Sequence, residues 1–467
     1  MARVLCRLAV LLLSTQELTA VRSPLGTKDH LRFTGAVHVG SPHRSVRVVF
    51  DTGSSDTWVA SDQLASGAPR AGNAFAIGYG GGTVSGTAAP RDLQLGYEAG
   101  SGTDGLLLRD VPVGFVDDPT AVIPAELGAQ GVVGLGMEAL AQIHGNSSLW
   151  GLLAKQQDAT EPLAFSLYVS GWSGAQPASQ LVLGGVNPAL TSTNATWRSF
   201  PVISNSALRH PRPPSRPTST CTAAQDSFGF WALRVQRLSF DGVTLPLGTP
   251  NNSNGAALLD SGASVLLLPQ HAFDSVVQAL VARFGTRLLP FPNDKPAPPA
   301  CRPCQVHEFP SLVFDLVIED STESDATSQR VELRGSDYVR CDQRRRECTA
   351  MIDSIHSPEI SDHLDVLVLG TVFFRAYYTH FDYSNKQVSL ACTLANNGSV
   401  CLGGLQPALD YRGQPYEPYS EIQQPRRSWE GLCAAVTALA LLATLRTLLQ
   451  PYESAAPSSS YRTRQPT

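Results

Sequence analysis

Asp51 and Asp260 sit in two short segments of nearly the same design. One is Phe50-Asp51-Thr52-Gly53-Ser54-Ser55 and the other is Leu259-Asp260-Ser261-Gly262-Ala263-Ser264. Each acid follows an apolar, strand-forming run and precedes a small hydroxyl residue and a glycine. Two carboxyl groups held close together cannot both ionise cheaply, so they share one proton and titrate as a unit. The ionised member can take a proton from water while the neutral member protonates a carbonyl oxygen. Such a pair suits the attack of water, a poor nucleophile, on an amide, a poor electrophile. Asp51 and Asp260 are therefore the catalytic candidates. Thr52 and Ser261 are placed to reach across to the opposite loop's backbone, and Gly53 and Gly262 let amide groups approach the carboxylates. Ser54 and Trp58 complete the supporting set. A single Asp-Ser-Gly is ordinarily a surface turn; two copies in matching surroundings are not.

The elements that must carry these residues read as strands and turns. Val37, Val39, Val46, Val48 and Val49 are β-formers around the turn Gly40-Ser41-Pro42. Phe75 to Tyr79, the glycine turn Gly80-Gly81-Gly82 and Thr83 to Thr87 form an expected hairpin with a tip poor in side chains. Helical periodicity is rare, with Glu138 to Ile143 and Ala272 to Phe284 the best cases. Arg209 to Pro217 reads as a proline-rich exposed link, and Glu319 to Gln329 as a polar surface loop. The expected order is a signal peptide over 1–20, an N-terminal lobe over 31–200 and the link over 201–224. A C-terminal lobe follows over 225–404, then a Pro-, Tyr- and Gln-rich stalk over 405–428, a spanning helix over 429–449 and a cytosolic tail over 450–467.

Length and composition agree with this division. A chain of 467 residues exceeds one compact domain. Its net charge of −5 and 16% charged content exclude the strong basic excess of a nucleic-acid surface. Arg3 and Arg7, the apolar Leu8 to Leu13 and the small-residue site Leu18-Thr19-Ala20 read as a secretory signal. A second apolar run, interrupted by Arg446 and stopped by Pro451, reads as one membrane-spanning helix; a buried amphipathic helix is the alternative. Asn146, Asn194, Asn251 and Asn397 head glycosylation sequons. Cysteine usage fits an oxidising compartment, with Cys304, Cys341 and Cys348 among the disulfide candidates. The Cys301-Arg302-Pro303-Cys304 spacing also suits a redox or zinc half-site, but it has no second close pair to match it. The chain carries no His-Glu-x-x-His helix, phosphate loop or nucleophilic Ser or Cys constellation, so no metal or other cofactor is expected.

From about Leu31 to Leu402 the chain resembles the pepsin family of aspartic endopeptidases. Phe50 to Val59 matches the first active-site motif and Ala257 to Leu268 the second. Val132-Val133-Gly134 and Val368-Leu369-Gly370 match the apolar-apolar-glycine elements that cross behind each acid loop, and Phe373 to Asp382 matches the closing strand. The shared-proton pair described above is best known from this very family. The resemblance implies an all-β, bilobal double β-barrel with a central cleft, cleavage of extended polypeptides, and action as a monomer. It also implies a flap at Tyr79 and Gly80, with Tyr79 bonding Trp58 over the substrate. Several departures matter. The stretch between Trp58 and Tyr79 is short, and the stretch before Leu31 leaves no room for the family's long prosegment. Ala263 replaces a hydroxyl residue, and Thr371 stands where many acid-active members carry Asp. Without a hydroxyl at Ala263 the charged form of Asp260 loses support, so a pH optimum less acid than pepsin's is expected. The alternatives are a freely secreted protease and a non-catalytic peptide-binding protein on the same fold.

Overall fold

The computed structural model describes residues 21–27, 31–41, 44–61, 72–79, 82–96, 105–143, 148–156, 163–172, 177–191, 197–208, 227–247, 255–291, 297–319, 327–355 and 366–393. The expected signal, stalk, spanning helix and tail lie outside these residues, as do Gly80 and all four sequon asparagines. Of the expected link over 201–224 the first part is ordered instead, because residue 201 completes the strand Arg198–Pro201 and Asn205–Leu208 forms a short helix; residues 209–224 lie outside the described residues. Among the described residues no helix is long and apolar enough to cross a membrane.

The protein is mostly β, and each half has its own large sheet. The first is seven-stranded, in the order Thr34–Val39, Arg44–Asp51, Gly131–Gly134, Thr57–Ala60, Leu106–Val116, Gly82–Leu95, Asn73–Tyr79. Thr34–Val39 also pairs with Gly82–Leu95, which curls the sheet toward a barrel. The second is eight-stranded and runs Thr327–Leu333, Leu312–Glu319, Ala232–Phe240, Gly255–Leu259, Val366–Leu369, Leu266–Leu268, Ile352–Ser354, with Val243–Leu245 paired alongside Ala232–Phe240. A six-stranded sheet joins the halves. It takes Val21–Pro24, Gln180–Leu183, Ala164–Tyr168 and Arg198–Pro201 from the first and Tyr377–Asp382 and Gln387–Cys392 from the second.

The same device positions both acids. Arg44–Asp51 runs parallel to Gly131–Gly134, with Asp51 opposite Gly134, and Thr57–Ala60 returns antiparallel on the far side. Gly255–Leu259, Val366–Leu369 and Leu266–Leu268 repeat this arrangement. A strand buried on both faces reads as a continuous apolar run, which is what Val48-Val49-Phe50 and Ala256-Ala257-Leu258-Leu259 supply. Each crossing needs a glycine. A methyl on Gly134 would lie 2.5 Å from the Ser55 carbonyl carbon, and one on Gly370 2.2 Å from Val265 O.

Several expectations change in detail. Of the helix expected over Glu138 to Ile143, only a single 3-10 turn forms, Glu138–Leu140. Its continuation is pulled into extended backbone, where the Gln142 and Ile143 amides bond a buried side chain instead of the preceding turn. The second expected helix forms as Gln270–Phe284, and a further one, Leu149–Gln156, was not expected. The closing strand starts later than the family pattern suggests, since Thr371–Ala376 is helical and only Tyr377–Asp382 is extended. Strands Leu312–Glu319 and Thr327–Leu333 take in both ends of the expected polar loop. Cys301 pairs with Cys304 and Cys341 with Cys348, so the close pair is an ordinary disulfide; Cys392 is disulfide-bonded as well.

Candidate active site

Asp51 ends the strand Arg44–Asp51 of the first sheet and Asp260 directly follows the strand Gly255–Leu259 of the second, and the loops that follow are tied to one another. Thr52 N donates to Ser261 Oγ at 2.9 Å, and Ser261 N donates to Thr52 Oγ1 at 2.8 Å. Each hydroxyl then donates across to the opposite strand: Thr52 Oγ1 to Leu259 O at 2.8 Å, and Ser261 Oγ to Phe50 O at 2.7 Å. These four bonds satisfy groups that burial would otherwise leave unpaired. They also fix the acids' relative placement through residues immediately next to them in the chain.

The two carboxyl groups meet within this frame. They are 7% and 4% exposed, for Asp51 and Asp260 respectively. A methyl on Gly262 would lie 2.6 Å from Asp51 Oδ1 and 3.1 Å from Asp260 Oδ1, and one on Gly53 would lie 2.6 Å from Asp260 Cγ. Only glycine allows loops this close. Gly53 N donates to Asp51 Oδ1 at 2.9 Å, and the Ser54 hydroxyl donates to Asp51 Oδ2. Gly262 N and Ala263 N donate to Asp260 Oδ1 at 2.8 and 3.2 Å. Burial holds the Asp260 carboxyl well above the usual carboxylate range; the charge of Asp51 and a hydrogen bond between the two carboxyls add to this, and the two backbone donors oppose it.

Trp58 and Tyr79 close one side. Trp58 Nε1 donates to the Tyr79 hydroxyl at 2.7 Å, and the rings meet edge to face, 6.1 Å apart. The Tyr79 hydroxyl is also in hydrogen-bond contact with Ser54. A continuous polar chain thus runs from the Trp58 indole through Tyr79 and Ser54 to Asp51. Burial, followed by the charges of Asp56 and Asp51, holds the Tyr79 phenol neutral by raising its pKa well above the ordinary value. Thr371 sits behind the second loop, where its hydroxyl donates to Ala263 O at 3.0 Å.

Two parts of the site are missed by the reading of the sequence above. Beneath the acids, Trp150 Nε1 and Trp231 Nε1 both donate to Leu135 O at 2.8 Å. Leu135 N in turn donates to Asp51 O, and Leu259 N donates to Trp231 O. The floor under the two strands is therefore a shared carbonyl held by indoles from both halves. The other part is Asp56, which is buried and accepts from Gln142 N and Ile143 N. Its signal was available: an acid leading directly into Thr57-Trp58-Val59-Ala60, a strand buried along its whole length, must itself be buried and find donors.

Two similar large sheets, each presenting an aspartate at a glycine turn to one shared centre, define an aspartic protease. The family described as eukaryotic aspartyl protease matches residues 32–393. Among relatives, pepsin F of Oryctolagus cuniculus is 26% identical over 387 residues, covering 79% of this chain and 83% of that protein. Gastricsin of Cavia porcellus is 24% identical over 405 residues, covering 81% and 84%. Pepsin A of Sus scrofa is 25% identical over 379 residues, covering 79% and 83%. The chain belongs to the eukaryotic aspartyl protease family and is an aspartic-type endopeptidase, a hydrolase acting on polypeptides.

Proposed function

We propose that Asp51 and Asp260 hydrolyse peptide bonds of extended polypeptides with one water held between them. The observation that carries this is the reciprocal hydroxyl clasp of Thr52 and Ser261 around two carboxyls that share a hydrogen bond. Burial favours the proton on Asp260, which leaves Asp51 as the base. Asp51 removes a proton from the water as its oxygen attacks the carbonyl carbon, and Asp260 gives its proton to the carbonyl oxygen. The resulting gem-diol collapses as a proton passes to the leaving nitrogen, and one proton remains on the pair. Tyr79 covers the substrate, and its bond to Trp58 sets the height of that cover. A peptide containing statine, whose hydroxyl mimics the gem-diol, should titrate the enzyme one to one and abolish cleavage. Cleavage that persists with saturating statine peptide would contradict the reading.

This body is delivered into the secretory pathway and held at a membrane by the helix over 429–449, with the catalytic lobes luminal or extracellular. The apolar run from Leu432 to Leu445, flanked by Trp429, supports this. Carbonate extraction should leave the full chain in the membrane pellet and release a chain ending before residue 429. A full chain found in the supernatant favours the freely secreted reading.

A further inference from the structure

We propose that Asp56 is a positioning residue for this reaction: its carboxylate fastens the segment Met137–Ile143 to the first acid loop and thereby sets the placement of Tyr79 over the dyad. This rests on the proteolytic reading of Asp51 and Asp260 and adds a residue to it.

The argument starts from what the segment touches. Ser55 Oγ donates to Met137 O at 2.7 Å, and Asp56 accepts from Gln142 N at 3.0 Å through both oxygens and from Ile143 N at 2.8 Å. Two consecutive residues of the acid loop thus hold both ends of the segment. Between those ends the segment reaches the other half of the molecule. Met137 N donates to Gly229 O and Ala139 N to Phe228 O. Leu140 packs in one apolar cluster with Phe230 and Ala263, next to Asp260. Ile143 packs in another with Trp58, Ile77 and Tyr79. A shift of the segment would therefore be felt at both acids and at the flap tyrosine.

The fastening depends on charge. Among the described residues the carboxylate of Asp56 meets only amide N–H donors, which suit an ionised carboxylate with open lone pairs. A proton on either oxygen would oppose the Gln142 N–H, which approaches both. Burial pushes the Asp56 carboxyl up to about 6, against the opposing pull of the Ile143 and Gln142 amides. The titratable group facing it is Tyr79, from the flap strand, which also meets the charge of Asp51. Glu138, on the segment itself, is engaged elsewhere, by Ser148 and Tyr383. Among the described residues no arginine or lysine pairs with Asp56. The fastening therefore loosens on acidification through a range in which substrate binding would otherwise follow the dyad alone.

The test measures kcat and KM on a fluorogenic peptide, and Kd for a statine peptide by calorimetry, from pH 4 to 7.5. In the wild type, KM and Kd should both rise on the order of tenfold as pH falls through about 6, a charge-assisted hydrogen bond's worth of binding, while kcat follows the dyad. Asp56→Asn should remove that step and leave a pH-independent KM across it. Gln142→Pro keeps the carboxyl but deletes the donor that meets both oxygens, so it should move the midpoint upward. The proposal is overturned if the wild type shows no step, if Asp56→Asn keeps it, or if Gln142→Pro leaves the midpoint unmoved. Should the wild type bind the statine peptide with this pH step but cleave nothing, the proteolytic reading fails while the positioning role of Asp56 stands.

Discussion

The two acid loops are alike in frame and unlike in surroundings. Asp51 and Asp260 sit at the same point of the same strand crossing, and the Thr52–Ser261 clasp treats them almost symmetrically, with four bonds between 2.7 and 2.9 Å. Beyond the clasp the symmetry ends. Ser54 gives Asp51 a hydroxyl donor, whereas Ala263 at the matching position offers Asp260 only a backbone amide. The first loop continues into Asp56, Trp58 and, through Trp58, Tyr79; the second continues into the wholly apolar strand Leu266–Leu268. A symmetric frame brings two equal acids together, and unequal neighbours then decide which one keeps the proton.

The largest expected effect breaks the symmetric part. Thr52→Val and Ser261→Ala each strand a buried N–H and a buried C=O, and each should destabilise the protein by about 2–5 kcal/mol, read from denaturant midpoints. Their losses should match within a factor of two. A large loss at one and almost none at the other would mean that the clasp is not shared.

The next prediction concerns pH and stability. Asp56 titrates at about 6 in the folded protein against 3.8 for an ordinary aspartate, and Asp260 is displaced in the same direction. A raised folded-state value means that the native chain binds the proton more tightly than the unfolded chain. This stability is fully present below about pH 4 and is lost as pH rises through about 6. For Asp56 alone the change is roughly 3 kcal/mol at full ionisation. Melting temperatures should fall from pH 4 to 7, and Asp56→Asn should flatten that slope. An ionised Asp56 thus fastens its segment well at a cost to the whole fold.

The smallest effect sharpens the asymmetric part. Ala263→Ser gives Asp260 the hydroxyl that Asp51 already has. Both limbs of the pH–rate profile should move to lower pH, by about one unit. Unmoved limbs would assign the proton's placement to burial alone.

The fold and the site were legible to different degrees. The acid loops could be read because their pattern is local: an apolar run that must be buried, an acid, a hydroxyl and a glycine whose missing side chain admits the opposite loop. The helix Thr371–Ala376 was hidden in a largely apolar stretch from Val366 to Tyr378, interrupted only by Gly370, Thr371 and Arg375, where periodicity does not separate a buried strand from a buried helix. The 3-10 turn at Glu138 stops short because Asp56, more than eighty residues earlier in the chain, claims the Gln142 and Ile143 amides. The meeting of Trp150 and Trp231 on Leu135 O is likewise a long-range pairing that no local pattern announces. Asp56 itself was readable as a buried acid, but not its partners.

The most direct test of the account is cleavage of one peptide by the protein with each acid replaced singly, Asp51→Asn and Asp260→Asn, both checked for intact folding by their melting temperatures. The shared-proton pair predicts that either change lowers kcat by on the order of 10⁴-fold, because neither carboxyl has a substitute. A singly replaced protein that keeps a sizeable fraction of wild-type turnover would contradict it.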